Sequence, residues 1–394
     1  MSTEALLTPQ IITKETLVIL ENNLVAANKV NRQFENQFVK IGTNLTIRKP
    51  NRFQTVKGQA LQIQNITEPS TSITINQQAQ VAFQFTSQEL TLTVEEFRER
   101  YLKPAALSIA NTLDFDVLTN FNQLFNEVGT PGTIPASFNS LASVGQRMDE
   151  GAVPQDGRVM ILNPAAYWSL ASALTTLFVQ SVSEPALKGF LANIANFEIY
   201  MDQNIQVQTV GNYSGTGVVN GANQTGSQLV TNGWTASVTG LLNIGDVFTI
   251  PGVFAVNPQN RVSTGSLQNF VVTGTVNTDS AGNATIPIYP AITTSGAYQT
   301  VSASPANLAP LTVKGTANTQ YAQNVGFVKD CIGLVTVPLE IYNGTDFSAR
   351  EMWRGLSMRV WRQADIFNDV APCRIDLLYG TTTYYPELGV RLTN

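Results

Sequence analysis

The chain has 394 residues, with 23 Lys and Arg against 28 Asp and Glu, no histidine and two cysteines, giving a net charge of −5. Without imidazole there is no Ser-His-Asp or Cys-His nucleophile system and no histidine-ligated metal. The acidic balance argues against wrapping a nucleic acid backbone, which needs clustered cations. Charged residues make up 13% of the chain, about half the usual share, so the surface is polar but mostly uncharged. At roughly 150 residues per domain the length suggests two or three domains. Cys331 and Cys373 form no Cys-x-x-Cys pair, which argues against a disulfide framework or a structural zinc. The start, Met1 to Pro9, has no basic stretch followed by an apolar run, and no window reaches about 18 apolar residues, so neither an export signal nor a membrane span is expected.

In chain order, residues 13–34 read as an amphipathic helix, with Thr13 as N-cap and Leu17, Leu20, Leu24, Ala27 and Phe34 at three-and-four spacing. Two readings stand at this point: an ordinary packed helix, or a terminal arm that docks on a neighbouring chain. From Gly42 to Leu92 the period becomes two, through Leu45, Ile47, Ile73, Ile75, Val81, Phe83 and Phe85, with a polar turn-prone middle at Thr67 to Ser72. This predicts a long two-stranded excursion. Arg48, Lys49, Arg52 and Lys57 cluster on its rising strand, either as a phosphate-binding patch or as a solvated edge that discourages strand pairing.

Thr93-Val-Glu95-Glu96 is a capping box opening the longest helical pattern, with Val94, Phe97, Tyr101, Ile109, Leu113, Val117, Phe121, Leu124 and Val128 as its stripe. Pro104 kinks it or begins a second helix. Capping, dipole complementarity and solvent exposure explain Glu95, Glu96, Glu99, Asp114 and Asp116 without catalysis. A helix around Phe138 to Met148, a buried strand at Val159 to Leu162, and a helix from Asn163-Pro164 through Tyr167 and Leu177 follow.

Between Asp202 and Lys329 only Asp246, Arg261, Asp279 and Lys314 are charged, a shift that marks a separate module. Strands at Ala236 to Val238, Val247 to Ile250, Phe270 to Val276 and Ala284 to Tyr289, with turns at Asn243 to Asp246 and Asp279 to Asn283, fit an antiparallel barrel or sandwich. Gly215-Thr-Gly217-Val-Val-Asn-Gly221 is not a dinucleotide fingerprint, because its third glycine is one position late and no apolar helix follows; it reads as a linker. Strands at Leu334 to Ile341, Leu356 to Trp361 and Arg374 to Tyr379 then resume the interrupted domain.

The element order, together with Cys373-Arg374-Ile375, Leu378-Tyr379-Gly380, Tyr385-Pro386-Glu387, Gly389-Val390, Asn163-Pro164 with Tyr167, Ala236-Ser-Val238 and Gly245-Asp246-Val-Phe-Thr-Ile250, resembles the major coat protein of short-tailed Salmonella-type phages. The resemblance implies an α+β Hong Kong 97 type capsid fold carrying a telokin-like inserted barrel. It implies an arm at 1–40, an extended loop at 41–92, a peripheral domain with spine helix at 93–165 and 366–394, an axial domain at 166–212 and 316–365, and the insertion at 213–315. It further implies hexamers and pentamers closing into an icosahedral shell around double-stranded DNA, with scaffolding and portal proteins as partners. The protein would assemble in the host bacterial cytoplasm and reside in the virion. No enzyme activity, cofactor, metal or membrane partner is implied. Contact candidates between subunits are then Leu17, Leu20, Leu24, Arg48, Lys49, Arg52, Lys57, Asp246 and Arg261. The family's insertion is charged where this one is not, so its contacts between capsomers are expected to be hydrogen-bonded, apolar or missing. A cargo-enclosing non-viral compartment and a phage tail or fibre protein stand as alternatives. An enzyme using Glu95, Glu96 and Asp114 to Asp116 is the weakest reading.

Overall fold

The computed structural model describes residues 9–33, 44–55, 57–58, 63–64, 66, 68–86, 98–175, 193–342, 344–345, 347–365 and 370–394. Helix α1 is Pro9–Asn23, so it starts before Thr13 and ends well short of residue 34. Thr13 is a buried residue inside the helix rather than its cap. Asparagine stops the helix: Asn28 Nδ2 donates to the Glu21 and Leu24 carbonyls, satisfying acceptors that a continuing helix would have used.

The excursion is shorter than its period-two pattern. β1 (Asn44–Arg48) and β2 (Ser70–Thr74) pair antiparallel, Asn44 opposite Thr74, whereas β3 (Gln77–Thr86) leaves the ribbon. The expected turn at 67–72 therefore falls partly on a strand. The capping box at 93–96 lies outside the described residues. A π turn at Arg98–Leu102 precedes α2 (Lys103–Thr119). Pro104 thus falls where the π turn passes into α2, the local irregularity that a missing N–H imposes on a continuing helix. A 3-10 turn, Asn120–Gln123, ends at an extended Leu124, so Val128 belongs not to the helix but to β4 (Glu127–Val128).

Helix α3 (Phe138–Glu150) leads to β5 (Arg158–Leu162), buried along its whole length, and α4 (Pro164–Thr175). Asn163 caps α4, its Oδ1 accepting the Ala166 amide at 2.9 Å, with proline at the first helical position. The expected continuation to Leu177 lies outside the described residues. Short strands β6 (Asn193–Ile194), β7 (Phe197–Met201) and β8 (Val207–Thr209) follow.

The inserted segment holds β9 (Gly215–Val219), β10 (Gly226–Trp234), β11 (Val247–Val256), β12 (Ser263–Val272), β13 (Ala284–Ile292) and β14 (Thr312–Val313) in the order β14-β11-β12-β13-β10-β9. The ends meet through one stretch of chain. The Val219 amide donates to Ala309 and the Leu311 amide to Gly217, while the Lys314 amide bonds Val247 on the far side. An all-antiparallel barrel results, filled by Leu229, Trp234, Phe248, Phe270 and Ile286. Two sequence expectations change here. The glycine-rich stretch is strand β9, not a linker, because Gly217 lies under the Trp234 ring, where a Cβ would stand 2.0 Å from a ring carbon. Ala236 to Val238 is a turn with Ser237 at positive φ, not a strand.

The chain closes with β15 (Gln320–Val328), β16 (Ile332–Val337), β17 (Phe347–Trp353), β18 (Leu356–Arg362), β19 (Val370–Thr383) and β20 (Gly389–Thr393). Two compact units result. Described residues within 1–48, 70–117 and 332–382 form the first, and those within 49–69, 118–331 and 383–394 the second. One boundary between the two units falls after Cys331. In the first unit β16-β19-β18-β17 form a sheet, with β3 also on β19. In the second, the sheet β4-β20-β15-β5-β7-β6, with β8 on β15, packs on Leu141, Val144 and Met148 of α3.

Leu17 and Leu20 are fully buried in the first unit. Leu20→Ala is expected to cost about 2–5 kcal/mol by opening a cavity, read as a lower urea midpoint at unchanged slope.

Candidate assembly surface

The arm is fastened to its own subunit. Helix α1 lies against β17 and β18, and Leu17, Leu20 and Leu24 are interior side chains of this packing. These three contact candidates are therefore corrected: a fully buried side chain has no surface left for a neighbouring chain. Where α1 ends, the buried Asp114 carboxylate of α2 accepts the Val25 and Ala27 amides, both at 2.8 Å. The Glu21 carboxylate accepts Trp353 Nε1 at 2.7 Å and Arg354 Nη1 at 2.9 Å from the β17–β18 turn. Asp116 accepts the Tyr379 hydroxyl. The acids of α2 are thus structural, but their partners are distant segments rather than the helix's own ends.

The basic cluster separates. Arg48 and Lys57 are exposed. Arg52 Nη2 meets Glu387 Oε1 at 2.6 Å, and its amide donates to the Tyr298 hydroxyl at 3.3 Å. Tyr298 in turn donates to Asn51 Oδ1 at 2.8 Å. The Lys49 ammonium stands 4.9 Å from the Tyr385 ring, and burial lowers its pKa, against the pull of Glu387. Beside these residues, Phe53, Ile63 and Ile66 are 64%, 85% and 71% exposed.

Asp246, one of the two insertion candidates, is also an internal group. Its carboxylate accepts the Gly211 amide at 2.9 Å, the Asn243 amide at 2.8 Å and Gln208 Nε2 at 2.7 Å. Burial pushes its pKa up against these bonds. One residue away, the Gly245 carbonyl accepts Arg391 Nη1 at 2.8 Å, and Arg391, wholly buried, lies 3.8 Å from Glu127. Lys314 donates to the Glu127 carbonyl. A polar joint therefore fastens barrel residues to β4 and β20. Sequence spacing gave no signal for it, because each pair it joins lies more than a hundred positions apart. Arg261 occupies a left-handed position, φ 61°, and its Nε and Nη1 are buried without a hydrogen-bond partner. Burial, then the nearby Arg52, lowers its pKa.

Asp376 on β19 is the charge centre of the first unit. Arg359 Nη2 at 2.6 Å, Arg374 Nε at 2.5 Å and Trp361 Nε1 at 3.0 Å all donate to it. Burial alone would raise its pKa, but these donors outweigh burial and hold it below 3.8. A cavity of about 110 Å³ in the second unit is lined by Phe125, Tyr289 and the ion pairs Arg52–Glu387 and Arg147–Glu150, whose charges already balance. Among the described residues no three Asp, Glu or Cys side chains gather as a metal site, and no helix is long and apolar enough to cross a membrane. Both cysteines are buried free thiols, and burial raises Cys373 to about 11.

Asp376→Asn leaves the buried Arg359 without its counter-charge and is expected to cost about 3–5 kcal/mol. Because the folded pKa is depressed, the wild-type carboxylate stabilises fully above its unfolded value and loses that contribution as pH falls through the folded one. Urea titrations across the acid range should show this acid limb in the wild type and a flatter one in the variant.

The sequence matches the family described as P22 coat protein, gene protein 5, over residues 1–394. No curated protein matches it. Among solved structures it is similar to a chain of Mycobacterium phage Che8, at 13% identity over 94% of this chain and 90% of that one, with a TM-score of 0.51. It is also similar to the capsid of Ralstonia phage GP4, at 7% identity over 90% and 84%, TM-score 0.45, and of cyanophage P-SCSP1u, at 10% over 90% and 84%, TM-score 0.44.

Proposed function

Since the chain belongs to the P22 coat protein family, it is a major capsid protein that forms the shell, and we propose that it does so as hexamers and pentamers closing into an icosahedron around double-stranded DNA. Its α+β fold is the phage capsid fold of the Hong Kong 97 type. The observation that carries the assembly reading is the loop between β1 and β2. Phe53, Ile63 and Ile66, all on this one loop, remain uncovered, and large exposed apolar side chains gathered on one segment mark a surface that another protein covers. The β1–β2 ribbon itself packs on Val335 and Leu378 through Ile73 and Ile75, so it is the loop beyond it that lacks cover.

The finer reading follows the resemblance. The barrel at 213–315 is the telokin-like insertion of a Salmonella-type short-tailed phage coat, with the peripheral and axial domains bounded as the sequence suggested. Scaffolding and portal proteins are its assembly partners in the host bacterial cytoplasm. A mildly acidic lining holds the packaged DNA loosely, since few cations are available to displace its counterions. Of the contact candidates, Arg48 and Lys57 on the loop and Arg261 on the barrel keep that role. Many weak, reversible contacts suit a closed lattice, in which each reinforces the others.

Expression alone and with the neighbouring genes, followed by sedimentation and negative-stain electron microscopy, tests this reading. Closed shells, sheets or isolated pentamers and hexamers support it. A monomer or trimer under every condition refutes it and favours the tail alternative. The triple substitution Phe53→Asp, Ile63→Asp and Ile66→Asp should leave the thermal midpoint of the subunit within a few degrees of wild type while abolishing shells, because exposed side chains contribute about ±0.5 kcal/mol or less to folding.

A further inference from the structure

A sheet edge offers unpaired N–H and C=O groups to any strand that reaches it, and proteins protect such edges with shortness, charge, proline or cover. Nearly every edge here is protected. β4, β6 and β14 are two residues long. β9 is bonded by residues 308–311. β16 is buried, and Asn31 bonds Ile332 and Leu334 on its outer side. β17 carries Arg350 and Glu351 and lies under α1.

β3 has none of these protections. It runs ten residues, Gln-Gln-Ala-Gln-Val-Ala-Phe-Gln-Phe-Thr, without a charge or a proline. It pairs with β19 from Gln77 opposite Tyr379 to Thr86 opposite Val370 without a bulge. Among the described residues no strand and no backbone hydrogen bond occupies its other side. Gln78, Gln80, Ala82 and Gln84 are exposed along one face.

We propose that the open edge of β3 pairs antiparallel with β3 of a second copy of this chain, joining two subunits through one continuous β-sheet. The inference rests on the shell reading and adds a specific contact to it. A two-fold contact requires a patch complementary to itself, and the strand meets that requirement. With Val81 opposite Val81, Gln78 faces Gln84, Ala79 faces Phe83 and Gln80 faces Ala82. Gln78 Nε2 donates to Asp376 Oδ1 of its own chain at 3.3 Å, and its carbonyl oxygen is left to accept the Gln84 amide of the second copy. No charge meets its own copy across the axis. A strongly charged partner strand, by contrast, would find no counter-charge on β3.

The test uses full-length chains. Opposed residues of an antiparallel pair have Cα atoms about 4.5–5.5 Å apart, within the range a disulfide spans, and the two native thiols are buried. Shells of Val81→Cys, oxidised and run on a non-reducing gel, should give covalent dimers whose peptide map links position 81 to position 81. Gln84→Lys subunits, altered opposite Pro372 and away from the Asp376 cluster, should keep the wild-type thermal midpoint and lose assembly. Wild-type shells accompanied by monomeric Val81→Cys shells would overturn the contact while leaving the shell reading intact. So would a disulfide from position 81 to any other position, which would mean another segment occupies the edge. Failure of the wild type itself to form shells under any condition would overturn the shell reading, and this contact with it.

Discussion

A charge taken out of water must find a partner, and this chain takes many of its few charges inside. Asp114, Asp246, Asp376, Arg158, Arg359 and Arg391 are all buried. An unpaired buried ion costs several kcal/mol, so each fixes the segment that supplies its partner. Asp114 holds the chain after α1 through two amides. Arg158 takes Asp149 Oδ1 at 2.6 Å and two carbonyls of the turn before β5. Arg391 holds the Gly245 turn of the barrel. The Asp114 and Arg391 pegs join residues far apart in sequence, where apolar packing alone would tolerate slippage.

The same economy leaves the surface uncharged. Gln, Asn, Ser and Thr satisfy water without creating long-range fields, so many identical copies can crowd together without repulsion. The absence of charge also removes the usual defence of a strand edge. In a monomeric protein an edge like that of β3 is a liability; in a coat protein it is a means of contact. The exposed apolar loop residues fit the same logic: what the isolated subunit leaves uncovered is what the assembly covers.

Much of the fold was legible from local signals. Asn163-Pro164 announced α4 because a cap and a first-turn proline act within four residues, and the unbroken apolar run of β5 marked a central strand. Other readings failed for reasons that were not local. The arm pattern continued past Asn23, but side-chain amides and Asp114 took the backbone out of the helix. The stretch from Gly215 looked like a linker because glycine signals freedom in sequence, whereas Gly217 is there to make room for an indole seventeen residues later.

The α+β class, the low-charge inserted barrel and the family could be read in one dimension, because composition, periodicity and motif order survive there. The sequence also removed histidine chemistry outright. Only the tertiary structure decided which residues remain available to a partner. The arm leucines and Asp246 have the composition of contacts yet are interior, while β3, without a charge or a proline, is left open along one edge among the described residues. Exposure is set by what packs on a residue from elsewhere in the chain, and no local pattern encodes that.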